Sequence, residues 1–269
     1  MSELRGSAHA FREVLARDLR VYLSYRSRLA SQALTSVFSL TLFYYVSQLV
    51  HVSGFSSPGA YFGFVIVGIA LVGVLYSCFS VADTVRQELI AGTFERLVLS
   101  PFGPVRSVIA MAVFPLIYAF AMATLTLAVG WAVFGLQLHW QTVPLAVPAM
   151  ALALLAFLPF GLAFAALTVV MKQGNVGTSW VIALISIVGG LYFPITLLPE
   201  WIQTAAKFQP FTPATEMLRH LLVNSPQATS ALLTIAKVAL FAAVLLPVSI
   251  WALRRAIREG QRRGTIIEY

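Results

Sequence analysis

The residues able to do chemistry are few and far apart. Cys78 stands alone, so the chain has neither a disulfide framework nor a cysteine metal site. His9, His51, His139 and His220 are scattered and make no ligand-spaced pair, which predicts no metal centre. A Walker A loop needs a glycine directly before its lysine, and the three lysines, Lys172, Lys207 and Lys237, follow Met171, Ala206 and Ala236. A proton or ion relay needs ionisable groups at mid-membrane, yet Asp83 and Lys237 fall near the ends of apolar runs. The expectation is a chain without a catalytic site and without a bound cofactor. Any energy from ATP has to come from another polypeptide.

One stretch is nevertheless equipped to bind. Between two apolar runs lies GTFERLVLSPFGPVRS, from Gly92 to Ser107. Thr93 can cap a short helix, Glu95 occupies its first turn where the helix dipole favours a carboxylate, and Pro101 ends it after about two turns. The capping box is incomplete, because Arg96 stands where Glu or Gln would complete it. Phe94, Leu97 and Val98 give this helix an apolar side too large for a hydrophilic connector. It has the character of a plug for a socket on another protein.

The surrounding elements are those of a membrane. Of the 269 residues, 59% are hydrophobic and 10% charged, where soluble chains are nearer a quarter charged. Six runs approach the ~20 apolar residues that cross a hydrocarbon core: 29–50, 61–81, 108–134, 143–171, 176–198 and 231–253. Pro115, Pro148 and Pro159 are available to bend the third and fourth. The first run is too long for a signal-peptide core and is expected to stay attached. Fifteen of the lysines and arginines fall on one side of this layout, whereas only Lys207 and Arg219 lie in loops of the other. That bias predicts a multi-pass protein with both termini and the charged stretch in the cytoplasm. The net charge of +8 is accounted for by lipid headgroups and topology, with no nucleic acid required.

The whole chain, 1–269, reads as one all-α transmembrane domain. Phe11, Leu15, Leu19 and Tyr22 or Leu23 recur at helical spacing, predicting an interfacial amphipathic helix over 8–27. The region of the short charged helix covers 86–101. After Gly189 and Gly190 the prolines Pro194, Pro199, Pro210 and Pro213 predict short outer re-entrant helices over 199–223, one from Glu200 to about Phe208 and one opened by Thr212 and Pro213. This segment is either a gate or a hairpin that packs the outer face. Gln32, Thr35, Ser36, Ser39 and Ser47 give the first span a polar side, with Phe43, Tyr44 and Tyr45 at its outer half. Such a side either contacts another helix or lines a passage for an amphipathic substrate.

Taken with Glu88, Gly92, Thr93, Phe94, Glu95, Leu97, Ser100 and Pro101, the chain resembles the permeases of type-2 ABC transporters, the membrane subunits of bacterial drug, lipid and polysaccharide exporters. Their run after the second span has the form E-x-x-x-G-T-hydrophobic-E-x-L, then a small hydroxyl residue and Pro. Six spans, the interfacial helix and the Phe193-Pro194, Leu198-Pro199, Trp201 and Phe211-Thr212-Pro213 pattern extend the likeness. The resemblance implies a multi-pass protein of the bacterial cytoplasmic (inner) membrane, with no ATPase site of its own. Two such chains, identical or related, would pair with two cytosolic ATPase subunits that carry the ATP and Mg. It assigns ATPase coupling to Glu88, Gly92, Thr93, Phe94, Glu95, Arg96 and Leu97. An outer gate would involve Phe193, Pro194, Trp201 and Phe211. Polarity and aromatic character add Gln32, Ser39, Phe43, Tyr76 and Trp180 as candidates for the substrate path.

The modest aromatic content of the second and fifth spans favours a drug or lipid-like amphiphile, with antibiotic resistance or lipid transport as the corresponding roles. A polysaccharide or glycolipid exporter would line a wide channel with rings. A membrane scaffold or sensor subunit without transport is the alternative of another class.

Overall fold

The computed structural model describes residues 20, 26–49, 55, 57–99, 103–171, 177–226 and 229–262. Every regular element among them is helical. In chain order these are α1 (Arg26–Leu49), α2 (Pro58–Ile90), α3 (Phe94–Leu99), α4 (Pro104–Phe134), α5 (Val143–Met171), α6 (Thr178–Val188), α7 (Glu200–Ala206), α8 (Phe211–Val223) and α9 (Ala231–Arg262). The interfacial helix expected at 8–27 falls almost wholly outside the described residues.

Local chemistry sets the helix ends. Ser57 caps α2, its hydroxyl accepting from the Ala60 amide at 3.2 Å, and Pro58 follows with a φ already suited to the first turn. Pro104 opens α4 in the same manner, and Gly135, at φ 68°, closes it in a left-handed conformation that glycine adopts without strain. Pro115, Pro148, Pro159 and Pro247 lie inside helices that continue through them.

Among the described residues four helices, α2, α4, α5 and α9, are long and apolar enough to cross a membrane. They coincide with the second, third, fourth and sixth expected spans. The other two differ. In α1 the apolar part is only Leu34–Leu49, since the helix begins among polar residues. The run expected over 176–198 is not one helix: α6 has 11 residues, roughly 16 Å, about half of a hydrocarbon core. Its ladder stops at Val188, and Gly190 turns the chain at φ 64°. The sequence beyond the turn, through Pro194 and Pro199, cannot rejoin an α-helical ladder.

Around α2, apolar on nearly all sides, the rest is built. Phe62, Ile66, Leu71, Leu75 and Phe79 meet Ala119 and Ala123 of α4, Ala149, Ala153 and Phe157 of α5, and Leu218 of α8. Small residues allow close approach. A Cβ at Gly161 of α5 would lie 2.0 Å from the Cys78 carbonyl oxygen of α2, so glycine there fixes the distance between the two helices. Beyond Cys78 a second cluster closes the arginine-rich end, joining Val81, Val85 and Leu89 of α2 to Val108, Leu162 and Leu253.

Candidate coupling surface and transmembrane cavity

At that arginine-rich end the charged stretch forms a hinge and a short helix. Gly92 sits at φ 67°, turning the chain sharply after α2. The Thr93 amide donates to the Glu88 carbonyl at 3.0 Å, and its hydroxyl donates to the Glu88 carboxylate. Glu88 and Thr93 therefore lock the turn that aims α3, which explains a Glu, a Gly and a Thr at this spacing. The six residues of α3 then divide by direction. Phe94 is 1% exposed and enters the second cluster beside Val85, Leu89 and Val108. Glu95 and Arg96 are exposed, Leu97 is half-buried against the same cluster, and Leu99 is 78% exposed. Phe94 accordingly roots the helix in the bundle and is no part of its free face.

The path candidates are partly brought together. Ser39 and Tyr76 line a cavity of about 300 Å³ between α1, α2 and α4, closed on one side by Tyr192. Thr35 and Ser36 of α1 and Thr126 of α4 add hydroxyls, while Ile69, Val72 and Met122 supply apolar wall. Phe43 stacks on Tyr192 with ring centres 6.0 Å apart and planes 10° apart, so it stands behind the wall. Trp180 on α6 is 77% exposed and outside the cavity lining, and the side chain of Gln32 is outside the described residues. The polar side of α1 is split between two uses. Thr35, Ser36 and Ser39 face the cavity, whereas Ser47 is fully buried and bonds back to the Tyr44 carbonyl at 2.6 Å.

The gate candidates do not form one cluster. Phe211 is 1% exposed and packs on Phe157 and Phe160 at 4.7 and 4.8 Å, which makes it core. Phe193 and Pro194 are half-buried in the link after α6, and Trp201 is 73% exposed on α7. Helix α7 spans Glu200–Ala206 with Pro199 at its N-cap, and α8 begins at Phe211, slightly earlier than Thr212 and Pro213 suggest.

A residue counted in the sequence only as a loop charge organises this region. Arg219 of α8 is 4% exposed and donates to three backbone carbonyls: Phe64 at 3.0 Å, Gly190 at 2.8 Å and Leu191 at 2.7 Å. Its guanidinium carbon lies 3.3 Å from the centre of the Phe64 ring. The planar fork thus ties α8 to α2 and to the break after α6. A Cβ at Gly68 would lie 1.6 Å from the Leu191 oxygen, so only glycine leaves room for the link beneath. Burial disfavours the charged form of Arg219, and neighbouring Glu216 opposes that effect. Burial likewise raises the Glu216 pKa, with Arg219 and Lys237 pulling it back. The clue in the sequence was an arginine within the apolar stretch MLRHLL, where an unpaired charge would be costly.

Among the described residues no group of His, Cys, Asp and Glu is arranged to hold a metal ion. The model of the ABC-2 type transporter family matches residues 9–223, which takes in every segment from the first helix through α8. The chain belongs to the ABC-2 type transporter family. It is therefore a multi-pass permease, the membrane component of an ABC transporter and not its ATPase. ABC-2 permeases generally work with a separate ATPase subunit. Comparison with curated proteins gives no match.

Proposed function

We propose that this permease exports an amphipathic, drug-like or lipid-like substrate across a bacterial cytoplasmic membrane, driven by an ATPase that docks on α3. One observation carries the reading: α3 offers Glu95 and Arg96 outward while Phe94 is buried in the apolar cluster at the ends of α2 and α4. A partner pushing on such a helix moves the bundle end with it. Glu88, Gly92 and Thr93 set the direction of the push, and Leu97 flanks the contact. The cavity bearing Ser39 and Tyr76 suits a molecule with both polar and apolar parts, since hydroxyls and aliphatic side chains share its wall. Phe193, Pro194 and Trp201 would act as the outer gate. Two permease chains, with two ATPase subunits carrying ATP and Mg, would enclose the full path.

A second reading has its own support. Tyr76, Tyr118 and Tyr192 all line the cavity, and rings at this density suit a sugar-bearing lipid.

The experiment separates docking from transmission. Reversing the exposed pair, Glu95→Lys with Arg96→Glu, should detach the ATPase from permease in nanodiscs. Phe94→Ala should leave the ATPase bound but make its hydrolysis insensitive to substrate. Normal assembly and coupling in both variants would refute the role of α3. Stimulation of hydrolysis by amphiphiles or by glycolipids chooses between the cargo classes; stimulation by neither, with no substrate crossing the bilayer, would identify a non-transporting scaffold.

A further inference from the structure

Three arginines converge at the basic end of the bundle, beside α3 but outside the residues assigned to coupling, and away from the cavity. Arg106 lies in the first turn of α4, and Arg254 and Arg258 lie one turn apart on α9. With Gln261 they line a pocket of about 350 Å³ whose wall includes Val105 and the buried Ile257. No carboxylate is among the described lining residues. Like charges at i and i+4 repel, and a third cation across the pocket adds to that cost, so the cluster calls for an anion.

The backbone reinforces the charge. Pro104 has no N–H, and the Val105 and Arg106 amides stand in the first turn of α4, at the positive end of its dipole. Depth in the membrane follows from the same helix. On α9, Trp251 marks the level of the interface, with the Arg255 guanidinium 5.8 Å from its ring centre on another face. The pocket begins about one turn further along, which puts it at headgroup height, and the half-buried Val105 forms part of its wall.

We propose that this pocket binds the phosphate headgroup of an acidic phospholipid. Three arginines suit a phosphate, because the guanidinium fork can bond two of its oxygens at once. The occupant is a lipid and not free phosphate because the three arginines are exposed at the ends of membrane-length helices, where a headgroup lies, with the half-buried Val105 among them. Basic pockets between membrane helices are established places for such headgroups.

The test uses the full chain in nanodiscs, with spin-labelled phosphatidylglycerol and phosphatidylcholine reporting the lipid held at the protein. Wild type should prefer phosphatidylglycerol, and Arg258→Gln or Arg106→Gln should each lower that preference about fivefold, the equivalent of ~1 kcal/mol per interfacial arginine. Arg255→Gln removes the same charge from another face and should retain the preference. Arg258→Lys should retain most of it, which keeps the test valid should a glutamine variant fold poorly. No preference in wild type, or equal losses in Arg255→Gln and Arg258→Gln, would overturn the site in favour of diffuse attraction. Displacement of the labelled lipid by excess inorganic phosphate would overturn the lipid as occupant. The readout is independent of leaflet, cargo and ATPase, so its failure leaves the proposed export function untouched.

Discussion

A single side chain, Arg219, closes the region that the outer gate reading depends on. Its three acceptors are main-chain oxygens, two of them where the helical ladder of α6 has ended and the carbonyls have no helical partner. Arg219→Gln can satisfy at most one or two of them. Each buried acceptor left unmade costs about 1–3 kcal/mol, so the variant should unfold at clearly lower temperature in detergent, followed by intrinsic fluorescence. Arg219→Lys keeps the charge without the fork and should fall between the two. A melting temperature unchanged in the glutamine variant would mean that the link is held by its apolar contacts alone. The position was visible in the sequence but its role was not, because charge counting treats every arginine outside a span alike. Only the fold brings Phe64, 155 positions away, to its guanidinium.

Helices, by contrast, were largely legible. Hydropathy identified α2, α4, α5 and α9 because each holds an apolar run long enough for a bilayer crossing. The same property misled at α6, where Leu191, Tyr192 and Phe193 remain apolar after the helix has stopped, and composition continues through a turn that the backbone does not. The charged stretch was legible as a short helix, but the direction of Phe94 was not, since both an apolar docking face and an apolar root read identically in one dimension. Helix spacing supplies a prediction at this scale. Gly161→Ala forces its new methyl against the Cys78 carbonyl, which is backbone and cannot rotate away. The expected loss is about 1–3 kcal/mol, read as a lower melting temperature. Gly73 is the control within α2: nothing lies within 4 Å of a Cβ there, yet it lines the cavity. Gly73→Ala should therefore fold like wild type, and any effect should be confined to transport.

For the whole molecule, the distribution of charge over the two ends decides how it sits in the membrane. The end of α2, α3, the start of α4 and the end of α9 carry Arg86, Arg96, Arg106, Arg254, Arg255, Arg258 and Arg262, and the second apolar cluster binds these elements into one end of the bundle. The other end, with α7, α8 and the start of α9, has Lys207 and Lys237 as exposed cations, while the guanidinium of Arg219 is turned inward onto backbone carbonyls. The arginine-rich end is therefore much the more basic of the two, and the positive-inside rule predicts that it faces the cytoplasm. The chain suits a direct check, because its one cysteine, Cys78, is buried in the core. A cysteine introduced at Glu95 should resist a membrane-impermeant maleimide in intact cells and react after permeabilisation, whereas one introduced at Trp201, 73% exposed, should react in both. Labelling of the first and protection of the second would invert the protein. The ATPase would then have no access to α3, and ATP-driven transport through that helix would be impossible, whatever the cavity holds.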